Sequence, residues 1–272
     1  MIALALSTSI IRPLFSLDAA AVSYIAAVTI AKGSAPTSTQ QTAINNFIVA
    51  EKAASRWTGH KRIYFPIWAN AAANAIDLKT LATGTYPNGA THDAGYVVGN
   101  GTSQYFDTGV THSGAGLTAS SGYMFVLQRN HPSVNFSAPI GAGATYPTDF
   151  YVQTTPQFVA RYSAGDTVTG AGSSAGIVSA ARFSGTRKLF RRTTAARALM
   201  ASTTGADSAG LGGGNIFAMA NNVSDAGSVP SGWCDSQFGA FGFGMGLSDA
   251  DDAAVTSNLK TLWETCTGLT LP

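Results

Sequence analysis

Paired carboxylates are the first chemistry to test. Most glycosidases place two of them about 5–10 Å apart across one cleft. The sequence holds two glutamates, Glu51 and Glu264, and both fall in helical patterns. Acidic residues two apart on a strand would share a face, yet no strand-like segment carries such a pair. Asp249 and Asp251 have that spacing but read as the acidic first turn of a helix. The chain is therefore read as a non-enzyme, with a polysaccharide depolymerase as the disfavoured alternative. His60, His92, His112 and His131 form no H-x-H or H-E-x-x-H motif. Cys234 and Cys266 are too few for a zinc site or a disulfide framework. Cys266 follows Leu259 and Leu262 at helical spacing and reads as a buried thiol, while a Cys234–Cys266 bridge stays open. No other cofactor is implied. Calcium remains possible through loop aspartates such as Asp93, Asp107, Asp149 and Asp166, although no EF-hand loop is present. The Gly212–Gly214 run lacks the G-K-S/T continuation of a phosphate loop and reads as a tight turn.

Binding chemistry is better represented. Aromatic rings stack on sugar faces while amides and hydroxyls bond sugar hydroxyls. Tyr86, Tyr146, Tyr151, Tyr162 and Trp233 lie in or near expected loops, whereas Trp57, Trp68 and Trp263 read as core. Arg187, Lys188, Arg191, Arg192 and Arg197 form the one basic cluster. On a strand, Arg187 and Arg191 face one side, and Lys188 and Arg192 the other. Such a strand could meet an acidic polysaccharide or a neighbouring subunit, or could simply guard an exposed edge. The candidate carbohydrate-binding set is therefore Tyr86, Tyr146, Tyr151, Tyr162, Trp233, Arg187 and Arg191.

These residues need a scaffold, and composition indicates which. Of 272 residues, 11% are charged and 45% hydrophobic, with net charge +2. That balance gives a folding chain with no basic field for nucleic acid. No apolar run reaches the roughly 18 residues that cross a bilayer. Met1 to Leu6 is apolar but lacks the basic flank of a signal peptide; the N-terminus is expected to be held by the body or by a partner subunit. Two regions are expected, a helical anchoring segment (1–60) and a β-sandwich with a closing helix (61–272). In the first, Asp18 caps a helix bearing Val22, Ile25 and Val28. Thr37 and Gln40 form a capping box ahead of Ile44, Phe47, Ile48 and Trp57. From Lys61, strand-like runs alternate with Gly, Pro and Asn turns. They are 63–67, 95–98, 104–108, 123–128, 150–153, 157–162, 177–183, 187–191, 198–200, 215–220 and 238–243, a series that suits a sandwich or barrel. Ser248 then caps a helix whose buried stripe is Val255, Leu259, Leu262 and Cys266, ending at Gly268.

The stretch Gly95-Tyr-Val-Val-Gly-Asn-Gly-Thr-Ser-Gln-Tyr-Phe-Asp-Thr-Gly109 resembles the opening strands of laminin-G-like, concanavalin A-like domains in bacteriophage virion proteins. Ile177–Leu199, Asn215–Ala220 and Phe238–Leu247 with Ser248-Asp249-Ala250 resemble the later strands and the entry to the closing helix. Phe190-Arg191-Arg192-Thr193 stands where that family usually turns through Asn-Gly. Arg62–Lys79 is similar to the leader of such modules. The resemblance runs from about Asp18 to Gly268. It implies a mainly β fold, a jelly-roll sandwich with an N-terminal helical hairpin and a C-terminal helix. It also implies a virion protein, assembled in the host cytoplasm, serving as a tail fibre, spike or head or collar decoration. Attachment to a host-surface glycan is the leading expectation, and a purely structural cement role the alternative. Expected partners are other virion proteins through the N-terminal segment and further copies of the chain.

Overall fold

The computed structural model describes residues 16–143, 148–153, 157–163, 166–183, 185–205, 210–211 and 213–272. Met1 to Leu6 lies outside them. The chain opens with α1 (Ala19–Lys32) and α2 (Ser38–Ala53). Strand β1 (His60–Tyr64), the short helix α3 (Ala71–Asn74), β2 (Thr91–Asp93), β3 (Tyr96–Val98), β4 (Phe106–Thr111) and β5 (Gly122–Gln128) follow. Next come β6 (Ser137–Ala142), β7 (Thr148–Gln153), β8 (Gln157–Ser163), β9 (Asp166–Ala171), β10 (Gly176–Phe183) and β11 (Thr186–Arg192). The chain closes with β12 (Arg197–Thr204), β13 (Asn215–Ala218), β14 (Asn221–Asn222), β15 (Pro230–Ser231), β16 (Gln237–Gly244) and α4 (Asp249–Thr267).

The strands form two sheets. One has the order β12-β11-β10-β5-β16-β3-β2, with β1 also on β16; the other runs β15-β14-β6-β7-β8-β9, with β13 joining β4 to β6. Period-two alternation divides the side chains of the first sheet between two cores. On β5, Tyr123, Phe125 and Leu127 pack with the helices, together with Tyr24, Ile44, Phe47, Leu259 and Trp263. Met124 and Val126 point the other way, into the space between the sheets, where they meet Ile140, Phe150, Val152 and Phe241. The molecule is thus three layers: helices, first sheet, second sheet. The mainly β two-sheet architecture with helices before and after it is the one expected. No helix among the described residues is long and apolar enough to cross a membrane.

The helix signals act as their chemistry requires. Asp18 accepts from Ala20 N at 2.9 Å. Thr37 and Gln40 form the reciprocal capping box. Ser248 caps α4, whose first turn holds Asp249, Asp251 and Asp252, and Gly268 closes it in the left-handed region at φ 70°. Thr37→Ala is expected to cost about 1 kcal/mol, read as a lowered urea midpoint, because the Gln40 backbone N–H loses its Thr37 Oγ1 acceptor. The N-terminal helical segment packs on the body: Ala21, Tyr24, Ile25 and Val28 of α1 share one apolar cluster with the first sheet and α4. Val22 departs from expectation. It is 50% exposed, and Ala21 and Tyr24 take the inward positions.

Strands β2, β6, β9, β14 and β15 were not expected. β6 reads Ser137-Ala-Pro-Ile-Gly-Ala142, and Pro139 and Gly141 look like turn residues. Burial on both faces overrides that local preference, since every residue of β6 is buried. Cys234 and Cys266 are both buried free thiols, which closes the bridge question.

Candidate functional site

The outer face of the second sheet brings rings and hydrogen-bonding groups together. Ile140 and Ala142 of β6 and Phe150 and Val152 of β7 pack between the sheets. Their neighbours Gly141, Asp149 and Tyr151 therefore turn outward. Register sets a row across this face, with Asp107 of β4 opposite Phe217 of β13, Phe217 opposite Gly141, and Gly141 opposite Asp149. Arg161 of β8 is the next register partner.

Asn221 sits over this row. Its Nδ2 donates to Asp149 Oδ2 at 2.8 Å and to the Tyr151 hydroxyl at 3.1 Å. Asp149 and Asn221 are fully buried, and Tyr151 is half-buried. Gly141 makes the close packing possible: a Cβ there would stand 2.0 Å from Asp149 Cβ and 3.0 Å from Asn221 Oδ1. Beside this polar group lies an aromatic one. Tyr105 and Phe217 have ring centroids 4.6 Å apart, and the half-exposed Trp233 packs against them and Ala220. Trp233 Nε1, a donor, and Asn221 Oδ1, an acceptor, have no hydrogen-bond partner. Buried polar atoms usually find partners, so this orphaned donor and acceptor are unusual features of the face.

The expected site residues are distributed unevenly. Tyr151 and Trp233 belong to this face. Tyr146 lies outside the described residues, and for Tyr162 only its backbone in β8 is placed. Tyr86 is a packed ring: it donates to Asn74 O at 3.3 Å and meets His92 edge-on at 4.5 Å. Burial raises its hydroxyl pKa well above the ordinary value.

The basic cluster also differs from expectation. Lys188 and Arg192 do face away from Arg187 and Arg191, but α4 covers them. Lys188 Nζ reaches Asp249 at 2.6 Å, and Arg192 donates to Thr256 Oγ1 and Ala253 O, both at 2.9 Å. Arg197 lies 2.7 Å from Asp252 and over the Phe190 ring. These cations fasten α4 to the first sheet; the edge strand is β12, which begins at Arg197. Arg187 is buried, which removes it from any solvent-facing set. Arg191 is half-buried and donates to Ala175 O at 2.7 Å. Burial lowers its guanidinium pKa.

Carboxylates elsewhere are committed to local structure. Asp77 accepts from the backbone of Ile63 and Lys79. Asp93 holds Ala94 N and the Tyr96 hydroxyl, and Asp107 holds Gly109 N and Asn215. Asp93, Asp107 and Asp149 thus serve different neighbours, and of Asp166 only the backbone in β9 is described. Among the described residues no group of three His, Cys, Asp or Glu side chains could hold a metal ion. Sequence reading missed Tyr105, Phe217 and Asn221 as site residues. Phe217 lies in a stretch read as a strand, and the alternation of Asn215-Ile-Phe-Ala218 would have shown Phe217 on the face opposite Ile216.

No protein-family model matches the chain, and no curated protein matches it. Among solved structures it is similar to CBM40 of the Ruminococcus gnavus IT-sialidase bound to α2,3-sialyllactose, at 13% identity and TM-score 0.38, over 50% of this chain and 83% of that one. The K499G mutant of NanB sialidase from Streptococcus pneumoniae gives 10% and 0.41, over 59% and 27%. Trypanosoma rangeli sialidase in complex with the inhibitor DANA gives 10% and 0.44, over 74% and 32%. These values are too low to carry an argument about ligand or activity, and the two-sheet fold rests on its own strand pairings.

Proposed function

We propose that this chain is a non-catalytic glycan-binding module, and that its binding face is the outer face of the second sheet. One observation carries the reading: the Tyr105–Phe217–Trp233 rings stand directly beside the Asp149–Asn221–Tyr151 hydrogen-bonding group. Rings of this kind cover the apolar face of a sugar; here the half-buried Trp233 and the half-buried Tyr151 phenol would meet it, while the buried Asp149 and Asn221 position the Tyr151 hydroxyl. The non-catalytic part is supported by the local duties of the carboxylates described above.

Affinity electrophoresis of the purified chain through gels containing soluble polysaccharides tests the reading. Trp233→Ala and Tyr151→Ala should each weaken retention by about tenfold, as expected for an anchoring side chain. Retention that neither substitution alters would refute the face as the site. A reducing-end assay on the same polymers should stay flat, and steady release of ends would make the protein an enzyme.

The setting we propose is a bacteriophage particle, where the module would be displayed on a fibre, spike or decoration protein and fixed by its N-terminal segment to other virion proteins. The support is the ordered series of resembling motifs from Gly95 to Ala250. Particles lacking the protein should remain intact but adsorb poorly to host cells; fragile particles would favour a cement role instead. Self-association is expected in this setting and is measurable by sedimentation.

A further inference from the structure

Phe136 stands apart from the other rings of the molecule. It is 57% exposed, and its backbone sits at φ 56°, in the left-handed region. A bulky side chain rarely adopts that conformation, because its Cβ crowds the backbone. Folding alone gives no reason to hold a phenylalanine there with its ring in water. Strained, exposed residues of this kind concentrate where a protein meets a ligand.

Its position gives the strain a purpose. Phe136 immediately precedes Ser137, whose register partner is Val152 of β7. It therefore stands at the end of β7 that lies beyond Tyr151, at a spacing of about 7 Å per two strand residues. Its carbonyl oxygen lies 3.0 Å from where a Cβ on Gly232 would be, so it abuts the residue before Trp233. Two further exposed apolar residues, Val223 at 37% and Val229 at 51%, belong to the same hairpin as Gly232. They are joined by the Val223 N–H donating to Val229 O at 2.9 Å. Three cavities among the described residues, between α2 and α4, beside His112 and beside Phe183, are lined by other residues. The exposed track on this face therefore runs from Phe136 past the half-buried Tyr151 and Trp233, and Asp149 and Asn221 are buried. An open track suits the side of an extended chain better than the enclosed end of one.

We propose that Phe136 is the end platform of this track, that the ligand is an internal stretch of a polysaccharide, and that the left-handed backbone is strain retained for binding. This rests on the glycan reading above. The test is the full chain carrying Phe136→Gly or Phe136→Trp, run through affinity gels of dextran, mannan and lipopolysaccharide O-chain, with thermal midpoints measured alongside.

Glycine removes both the ring and the strain. Phe136→Gly should therefore hold or raise the midpoint while weakening retention about tenfold. Phe136→Trp should keep retention within about threefold of the parent. Unchanged retention of Phe136→Gly, in a gel that retains the parent and releases Trp233→Ala, would overturn the role of Phe136 and leave the glycan reading standing. A midpoint that falls with glycine would show a structural role and also overturn it. A parent chain retained by none of the polymers would end both readings.

Discussion

Glu51→Gln is expected to lower the unfolding free energy by about 3 kcal/mol at pH 7 and by almost nothing near pH 2, read as paired urea midpoints across that range. Glu51 is fully buried where α2, β1 and α4 meet. It accepts from Arg56 Nε at 2.9 Å and Nη2 at 3.0 Å, and from Asn258 Nδ2 at 2.7 Å, with His60 Nε2 at 3.1 Å. Burial alone would raise its carboxyl pKa. The hydrogen bonds from His60, Arg56 and Asn258 outweigh burial and hold the pKa at about 2, against 4.5 for an ordinary glutamate.

A depressed carboxylate pKa stabilises the fold above the unfolded value, and the contribution disappears as pH falls through the folded one. The window is therefore pH 4.5 down to about 2. Burial raises Asp77 and Asp252 above the ordinary value, so their titration works in the opposite sense. They are present in both proteins and cancel in the difference. A gap between the two midpoints that stays constant from pH 7 to pH 2 would show that Glu51 packs without its charge mattering.

This cluster also marks where sequence reading stops. The capping box at Thr37, the Ser248 cap and the apolar stripe of α4 depend on residues within one or two turns of each other, so spacing alone reveals them. Glu51 could be placed on a helix in the same way, but Asn258 is 207 residues distant. Only the packing of α2 on α4 brings the two together. The basic cluster shows the same limit. Alternation put Arg187 and Arg191 opposite Lys188 and Arg192, but nothing local shows that α4 covers one side and the protein interior the other. The binding face was half legible. Tyr151 and Trp233 stood out as rings near turns. Asn221 gains its meaning from Asp149 across the sheet, and β6, which lies between them, carries a proline and a glycine that disguise it as a turn.

That disguised strand supplies the second large effect. Gly141→Ala should remove glycan retention and lower the unfolding free energy by about 1–3 kcal/mol, the range for inserting a methyl group into packed structure. The new Cβ would lie 2.0 Å from Asp149 Cβ and 2.8 Å from Asp149 Cα, so no rotation of a flexible side chain relieves the clash. Either β7 moves away from β6 or the Asn221 segment lifts, and both separate the amide from the carboxylate it bonds. Gly122→Ala on β5 is the matched control, since a Cβ there meets nothing within 4 Å. It should stay within about 0.5 kcal/mol of the parent and be retained like it. Retention and stability would then fall together at one glycine and at neither with the other, which ties the face to the register of β6 on β7. Parent-like behaviour of Gly141→Ala in both measurements would mean that the outer face has room the packing denies, and the proposed site would fall with it.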